Sequence, residues 1–168
     1  MNDHRVLVAY SSRHGGTAEM AEWIAAELAE AGLSVDTRDV AAVDSLEGYD
    51  AVVLGSGVYM RSWRRDARRF LRRHRRELTD LRVWLFSSGP VDPEASVPNH
   101  DIGPGLARRA EQIEAEGHVT FGGVLRADTE GWLARRLARR GMAGDYRDET
   151  AVRAWAASIA ATLTGSAN

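Results

Sequence analysis

Residues 6–17 read Val6-Leu7-Val8-Ala9-Tyr10-Ser11-Ser12-Arg13-His14-Gly15-Gly16-Thr17, and their order decides the fold. The first five are apolar without a break, as a strand covered on both faces requires. The next residues are mostly small, with hydroxyls and two glycines, and they turn the chain out of the strand. Helix formers then run over 17–31 until Gly32 stops them. A buried strand that feeds a helix through a small-residue loop is the first half of a strand–helix–strand unit, and sheets of such units are parallel.

The pattern repeats along the chain. Residues 34–40 alternate and fit an edge strand, 51–54 form a buried strand closed by Gly55-Ser56-Gly57, and 61–77 are helical. Residues 81–86 form another strand, ending at Ser87-Ser88-Gly89-Pro90. A loop rich in Pro and Gly covers 90–105, a helix 106–116, and a strand 118–125 is interrupted by Gly122-Gly123. A short helix at 133–140, a break at 141–144 and a last helix at 149–163 complete the chain. This predicts one α/β domain over 1–168, a three-layer sandwich with a five-stranded parallel sheet. Ligands of such sheets sit at the carboxyl ends of the strands, so the loops that follow them should carry the function.

Composition narrows that function. The 168 residues are 44% apolar and 27% charged, with no cysteine, so thiol nucleophiles, disulfides and iron–sulfur clusters are excluded. All 22 basic residues are arginine. Without lysine there is neither a Schiff base nor a Walker-type phosphate loop. No metal-ligand set stands out. The formal charge of −2 hides nine arginines between Arg61 and Arg76 against one acid, Asp66, a local excess of +8 that leaves −10 elsewhere. Such an asymmetry fits an anionic partner or a solvated helix face. No apolar run approaches the length of a membrane span. The chain reads as cytoplasmic, or as peripheral at the inner face of the cell membrane.

The loop after the first strand has the chemistry of a phosphate cradle. Ser12 and Thr17 offer hydroxyls, Gly15 and Gly16 let backbone N–H groups converge, and the helix dipole adds positive potential. The alternative is a helix cap in which Ser12 or Thr17 only satisfies end groups. A loop this long and hydroxyl-rich exceeds what a cap needs.

Tyr10, Ser12, Gly15, Thr17, Ala21 and Ile24 resemble the phosphate signature of the flavodoxin family, and the likeness extends through nearly the whole strand–helix order. It implies a strand order of 2-1-3-4-5 and FMN as cofactor. By that resemblance Ser12, Arg13, His14, Gly15, Gly16 and Thr17 would hold the FMN phosphate. Arg13 and His14 depart from the family's run of small hydroxyl residues, and a cation beside a dianion is favourable.

The same resemblance assigns two loops to the flavin ring. Ser56, Gly57, Val58, Tyr59 and Met60 form the first, with Tyr59 as the aromatic expected over one face and Trp63 as the second candidate. Trp63 also shares a helical face with Ala67, Phe70 and Leu71, which fits packing on the sheet. His74 lies on that apolar side and reads as a packed histidine. The second loop is Ser87, Ser88, Gly89, Val91 and Asp92, whose backbone would meet the pyrimidine end of the ring. Asp92 and Glu94 are the acids near it, whereas flavodoxins crowd acids there, and this points away from a low-potential carrier.

A second basic group holds Arg126, Arg135, Arg136, Arg139 and Arg140, with Trp132, Leu133, Leu137 and Met142 between them. With Gly144-Asp145-Tyr146-Arg147-Asp148 it resembles the flavodoxin-like, menaquinone-linked protoporphyrinogen oxidases. That likeness implies an FMN-dependent oxidoreductase of haem biosynthesis. It would pass reducing equivalents from a porphyrinogen, or another small redox substrate, to a quinone. Arg61, Arg126, Arg135, Arg136 and Arg139 would then face substrate propionates or an anionic membrane. No general base stands out, and nucleic acid is not an expected partner. An FMN electron carrier and an NAD(P)H:quinone reductase are the alternative readings. A receiver-like interaction domain would need clustered acids after the first strand and a late lysine, and has neither.

Overall fold

A computed structural model describes residues 3–13, 15–59, 62–89, 103–125, 144–145 and 147–165. The expected positions His14, Met60, Arg61, Val91, Asp92, Arg126, Arg135, Arg136, Arg139 and Arg140, and the helix at 133–140, lie outside the described residues.

Strand β1 (Arg5–Ser11) leads into α1 (Gly16–Glu30), then β2 (Ser34–Asp39) and β3 (Ala51–Tyr59). The two-residue β4 (Ser62–Trp63) precedes α2 (Arg65–Arg73), α3 (Arg75–Thr79) and β5 (Arg82–Ser88). The chain continues through α4 (Gly103–Gln112), β6 (Gly117–Phe121), β7 (Val124–Leu125), β8 (Gly144–Asp145) and α5 (Glu149–Gly165). The sheet order is β2-β1-β3-β5-β6, with every neighbouring pair parallel, and β4 folds back antiparallel on β3. Counting its five parallel strands in chain order gives 2-1-3-4-5, as expected.

Side chains alternate across the pleat, which is why each inner strand is apolar throughout. Val6 and Val8 of β1 join Val53 and Phe86 under α1 and α5, where Met20, Ile24, Leu28, Ile159 and Leu163 close the layer. Leu7 and Ala9 point the other way and pack with Leu54, Leu85, Phe70, Leu71, Leu78, Leu106 and Ile113 beneath α2, α3 and α4. Each such leucine or isoleucine contributes roughly 1.5–3 kcal/mol on burial. At Gly55 even one more carbon does not fit: a Cβ there would fall 2.0 Å from the Phe86 ring.

Five elements differ from the sequence reading, one of them the helix expected over 106–116, which runs over Gly103–Gln112 and so begins within the stretch read as loop. The helix expected over 61–77 is two helices meeting at His74, and Ser62 and Trp63 before them are extended and paired with Tyr59 and Val58. The strands expected at 51–54 and 81–86 run on to Tyr59 and Ser88, so Ser56, Gly57, Ser87 and Ser88 are strand and not loop. The expected strand over 118–125 ends at Phe121, and Val124 and Leu125 pair antiparallel with Asp145 and Gly144. Among the described residues no helix is long and apolar enough to cross a membrane.

Candidate functional site

The carboxyl ends of β1 and β3 and the start of α1 meet at one point. Gly15 is the residue before the helix and holds a left-handed φ of 88°, which brings the first helical amides round to the sheet end. Its own N–H donates to the Ser12 hydroxyl at 3.0 Å, so Ser12 shapes the loop and caps no helical amide. The first α1 amide bonded within the helix is that of Glu19, to the Gly15 carbonyl at 3.0 Å. Those of Gly16, Thr17 and Ala18 therefore face out of the helix end with the positive end of its dipole. The Thr17 side chain is 4% exposed, and its hydroxyl bonds to no described residue, so it does not act as a cap.

These groups fit the phosphate of FMN. The loop supplies amides, hydroxyls and the exposed Arg13, and no carboxylate. The nearest acid in sequence, Glu19, is turned to Arg147 at 3.0 Å. Donors convergent on one buried helix end are what a dianion needs.

Behind the loop lies a knot of polar side chains in which Ser56 alone was a sequence candidate for the site. The fully buried Ser11 donates to Asp66 Oδ1 at 2.6 Å and accepts from Arg64 Nε at 2.9 Å. The Arg64 amide donates to Ser56 Oγ at 3.1 Å, and the Ser56 hydroxyl donates to the Gly57 carbonyl at 2.9 Å. The knot fastens the ends of β1 and β3 to the start of α2. Arg64 was hidden in the sequence as one member of a repetitive arginine run, and Asp66 stood out there only as its one acid.

The end of β5 is built differently. Trp63 is 3% exposed, and its indole donates to Ser87 Oγ at 2.7 Å, so it packs on the sheet. Ser87 also meets His118 Nε2 at 2.8 Å. With one lone pair filled by Trp63, the simplest arrangement has Ser87 donating to that nitrogen and leaves the ring proton on Nδ1. Burial pushes the His118 pKa down to about 4, which keeps the ring neutral. Ser88 is buried, and Gly89 has a φ of 108° and donates its N–H to the Phe121 carbonyl at 2.9 Å. A Cβ at Gly123 would stand 3.1 Å from the Gly89 Cα, so the Gly122-Gly123 break lets two backbones touch. Val58 is half-buried, and Tyr59 closes β3.

Arg147 is the other residue the sequence reading left without a role. Its side chain is 6% exposed and donates to Asp145 at 2.8 and 2.9 Å, to Glu19 at 3.0 Å and to the Gly16 carbonyl at 3.3 Å. The guanidinium stacks over Trp23 at 5.0 Å. It ties the β7–β8 pair to the first turn of α1.

Comparison with known proteins agrees with the fold. A flavodoxin-domain family model matches residues 7–151. Protoporphyrinogen IX dehydrogenase (quinone) of Escherichia coli strain K12 is 24% identical over 139 residues, covering 80% of this chain and 77% of that protein. A variant of the flavodoxin from Pseudomonas aeruginosa superposes with a TM-score of 0.65 at 16% identity, over 96% of this chain and 99% of that one. Rubredoxin oxygen:oxidoreductase from Desulfovibrio gigas gives 0.65 at 14% identity over 98% of this chain, which spans 37% of that protein's length.

Proposed function

The chain belongs to the flavodoxin family, and we propose that it is an FMN-dependent oxidoreductase that oxidises protoporphyrinogen with a quinone as acceptor. The observation that carries the cofactor is the start of α1, where donors converge with no acceptor among the described residues. The named relative, a quinone-linked protoporphyrinogen IX dehydrogenase, supports the substrate pair.

Ser12, Arg13, His14, Gly15, Gly16 and Thr17 hold the phosphate in this reading. The ends of β3 and β5 border the ring, Ser56, Gly57, Val58, Tyr59 and Met60 on one side and Ser87, Ser88, Gly89, Val91 and Asp92 on the other. Ser56 and Ser87 contribute backbone, because their hydroxyls are engaged within the protein. The bound flavin supplies the redox chemistry, and the chain supplies position and electrostatics. Each electron pair taken from the porphyrinogen, with two protons, ends on the quinone, which leaves as quinol. Arg61, Arg126, Arg135, Arg136 and Arg139 meet the propionates or an anionic membrane, where quinone resides.

Purified protein should be yellow and release FMN on denaturation. A colourless protein that cannot be reconstituted with FMN would refute the cofactor. Anaerobic conversion of protoporphyrinogen to fluorescent protoporphyrin with menaquinone present tests the substrate. A yellow protein without that turnover is left with the carrier or NAD(P)H:quinone reductase reading.

A further inference from the structure

We propose that Arg64 is a phosphate-binding residue, closing the α1 cradle from the side of β3 and α2. The site would then select a phosphorylated flavin over the unphosphorylated one through a full charge as well as amide dipoles. This rests on the reading of the cradle as an FMN site.

Three elements contribute to one small space. A Cβ built on Gly57, in β3, would stand 3.6 Å from Thr17 Oγ1 and 4.0 Å from Arg64 Cδ. The hydroxyl of Thr17, which bonds to no described residue, and the arm of Arg64 thus face the same gap, and the absence of a side chain at 57 keeps it open. Ser11 holds Arg64 by Nε alone, at 2.9 Å, and the Asp66 carboxylate approaches that same edge at 3.7 Å. The Nη pair of the fork bonds to no described residue. The side chain is 30% exposed, so it is neither sealed in the core nor free in water.

That arrangement suits a tetrahedral phosphate dianion. The Nη fork matches two phosphate oxygens, and its geometry is already set by Ser11, so little side-chain freedom is lost on binding. Among the cradle's other described donors, all are neutral dipoles apart from the exposed Arg13. Arg64 places a fixed charge against the oxygens that the amides do not cover.

The test uses the full chain stripped of flavin, with dissociation constants for FMN and riboflavin read by flavin fluorescence. A charge-assisted hydrogen bond corresponds to about a 10- to 100-fold change in affinity. Arg64→Gln should weaken FMN by that factor and change riboflavin by less than about threefold. Arg64→Lys, which keeps the charge and loses the fork, should fall between. Arg64→Met, which keeps the aliphatic arm beside Gly57, serves if the glutamine variant does not fold. Equal FMN affinity in wild type and variant overturns the proposal. So does an equal loss for both flavins, which would make Arg64 a brace acting through Ser11 and Asp66. Wild type that binds neither flavin refutes the FMN reading, and this inference with it.

Discussion

On the face covered by α1 and α5, Arg147 directs its nitrogens to Asp145, Glu19 and the Gly16 carbonyl. On the face covered by α2, α3 and α4, the matching is incomplete. Arg68 Nε, His74 Nε2, His118 Nδ1 and Thr120 Oγ1 are buried without a partner among the described residues. His118 and Thr120 belong to that face because they align with Leu85 and Ser87 of β5. Six exposed arginines of α2 and α3, at 65, 69, 72, 73, 75 and 76, also lack an ion pair among the described residues. One layer is an apolar seal clamped by a satisfied arginine. The other carries unmet hydrogen-bonding capacity and unmet charge, which costs stability and leaves groups available to ligands.

From this difference, substitutions under α1 and α5 should act on stability and those under α2–α4 on titration or binding. The largest effect is expected from Gly55→Ala, whose methyl would press into Phe86, itself edge-on to Trp155 at 6.0 Å. A loss of about 3 kcal/mol in urea unfolding is expected from the overpacking. An unchanged midpoint would mean the layer is looser than its contacts suggest. Arg147→Gln removes ion pairs to two half-exposed acids and the stacking on Trp23, and should cost about 2 kcal/mol in the same measurement. A loss below about 0.5 kcal/mol would dissolve the clamp, since that lies within the range of ordinary surface pairs.

On the other face, His118 should show itself through pH. Its pKa is 6.5 in an unfolded chain and about 4 in the fold. The unfolded chain therefore takes up the proton first as the pH falls. The stability due to the neutral ring is complete above pH 6.5, declines between 6.5 and 4, and is gone below that window. His118→Gln should flatten the decline by at most about 1.4 kcal/mol per pH unit. Parallel curves for variant and wild type would refute the assignment. The smallest effect belongs to Thr120→Val. Removing an unbonded buried hydroxyl should be neutral or stabilise by up to about 1 kcal/mol. A clear loss would reveal a partner for that oxygen.

The fold was legible because its inner strands are buried on both sides and read as unbroken apolar runs, and because Gly32 marks the end of α1. The strand ends were not. Ser56, Gly57, Ser87 and Ser88 look like loop residues, and what holds them extended is pairing with a neighbouring strand far away in sequence. The split of the arginine helix was hidden for a related reason. Its amphipathic period continues through His74, while the pairing of Ser62 and Trp63 with β3 and the reach of the indole to Ser87 depend on tertiary contact. Within the site, the α1 loop could be read from its small residues. Arg64 could not, since nothing local separates it from eight similar neighbours, and only its bond to Ser11 distinguishes it.

The two layers also make the molecule an electric dipole. Helix α1 holds four glutamates and no base, and the start of α5 adds further acids, while α2 and α3 hold the arginines on the far side of the sheet. An isoelectric point near 6.2 averages over that separation. In solution such a particle orients as it approaches a charged wall, so retention on an exchange resin reports which face it presents. It should bind cation and anion exchangers alike near its isoelectric point, where a protein of evenly mixed charge would pass through both.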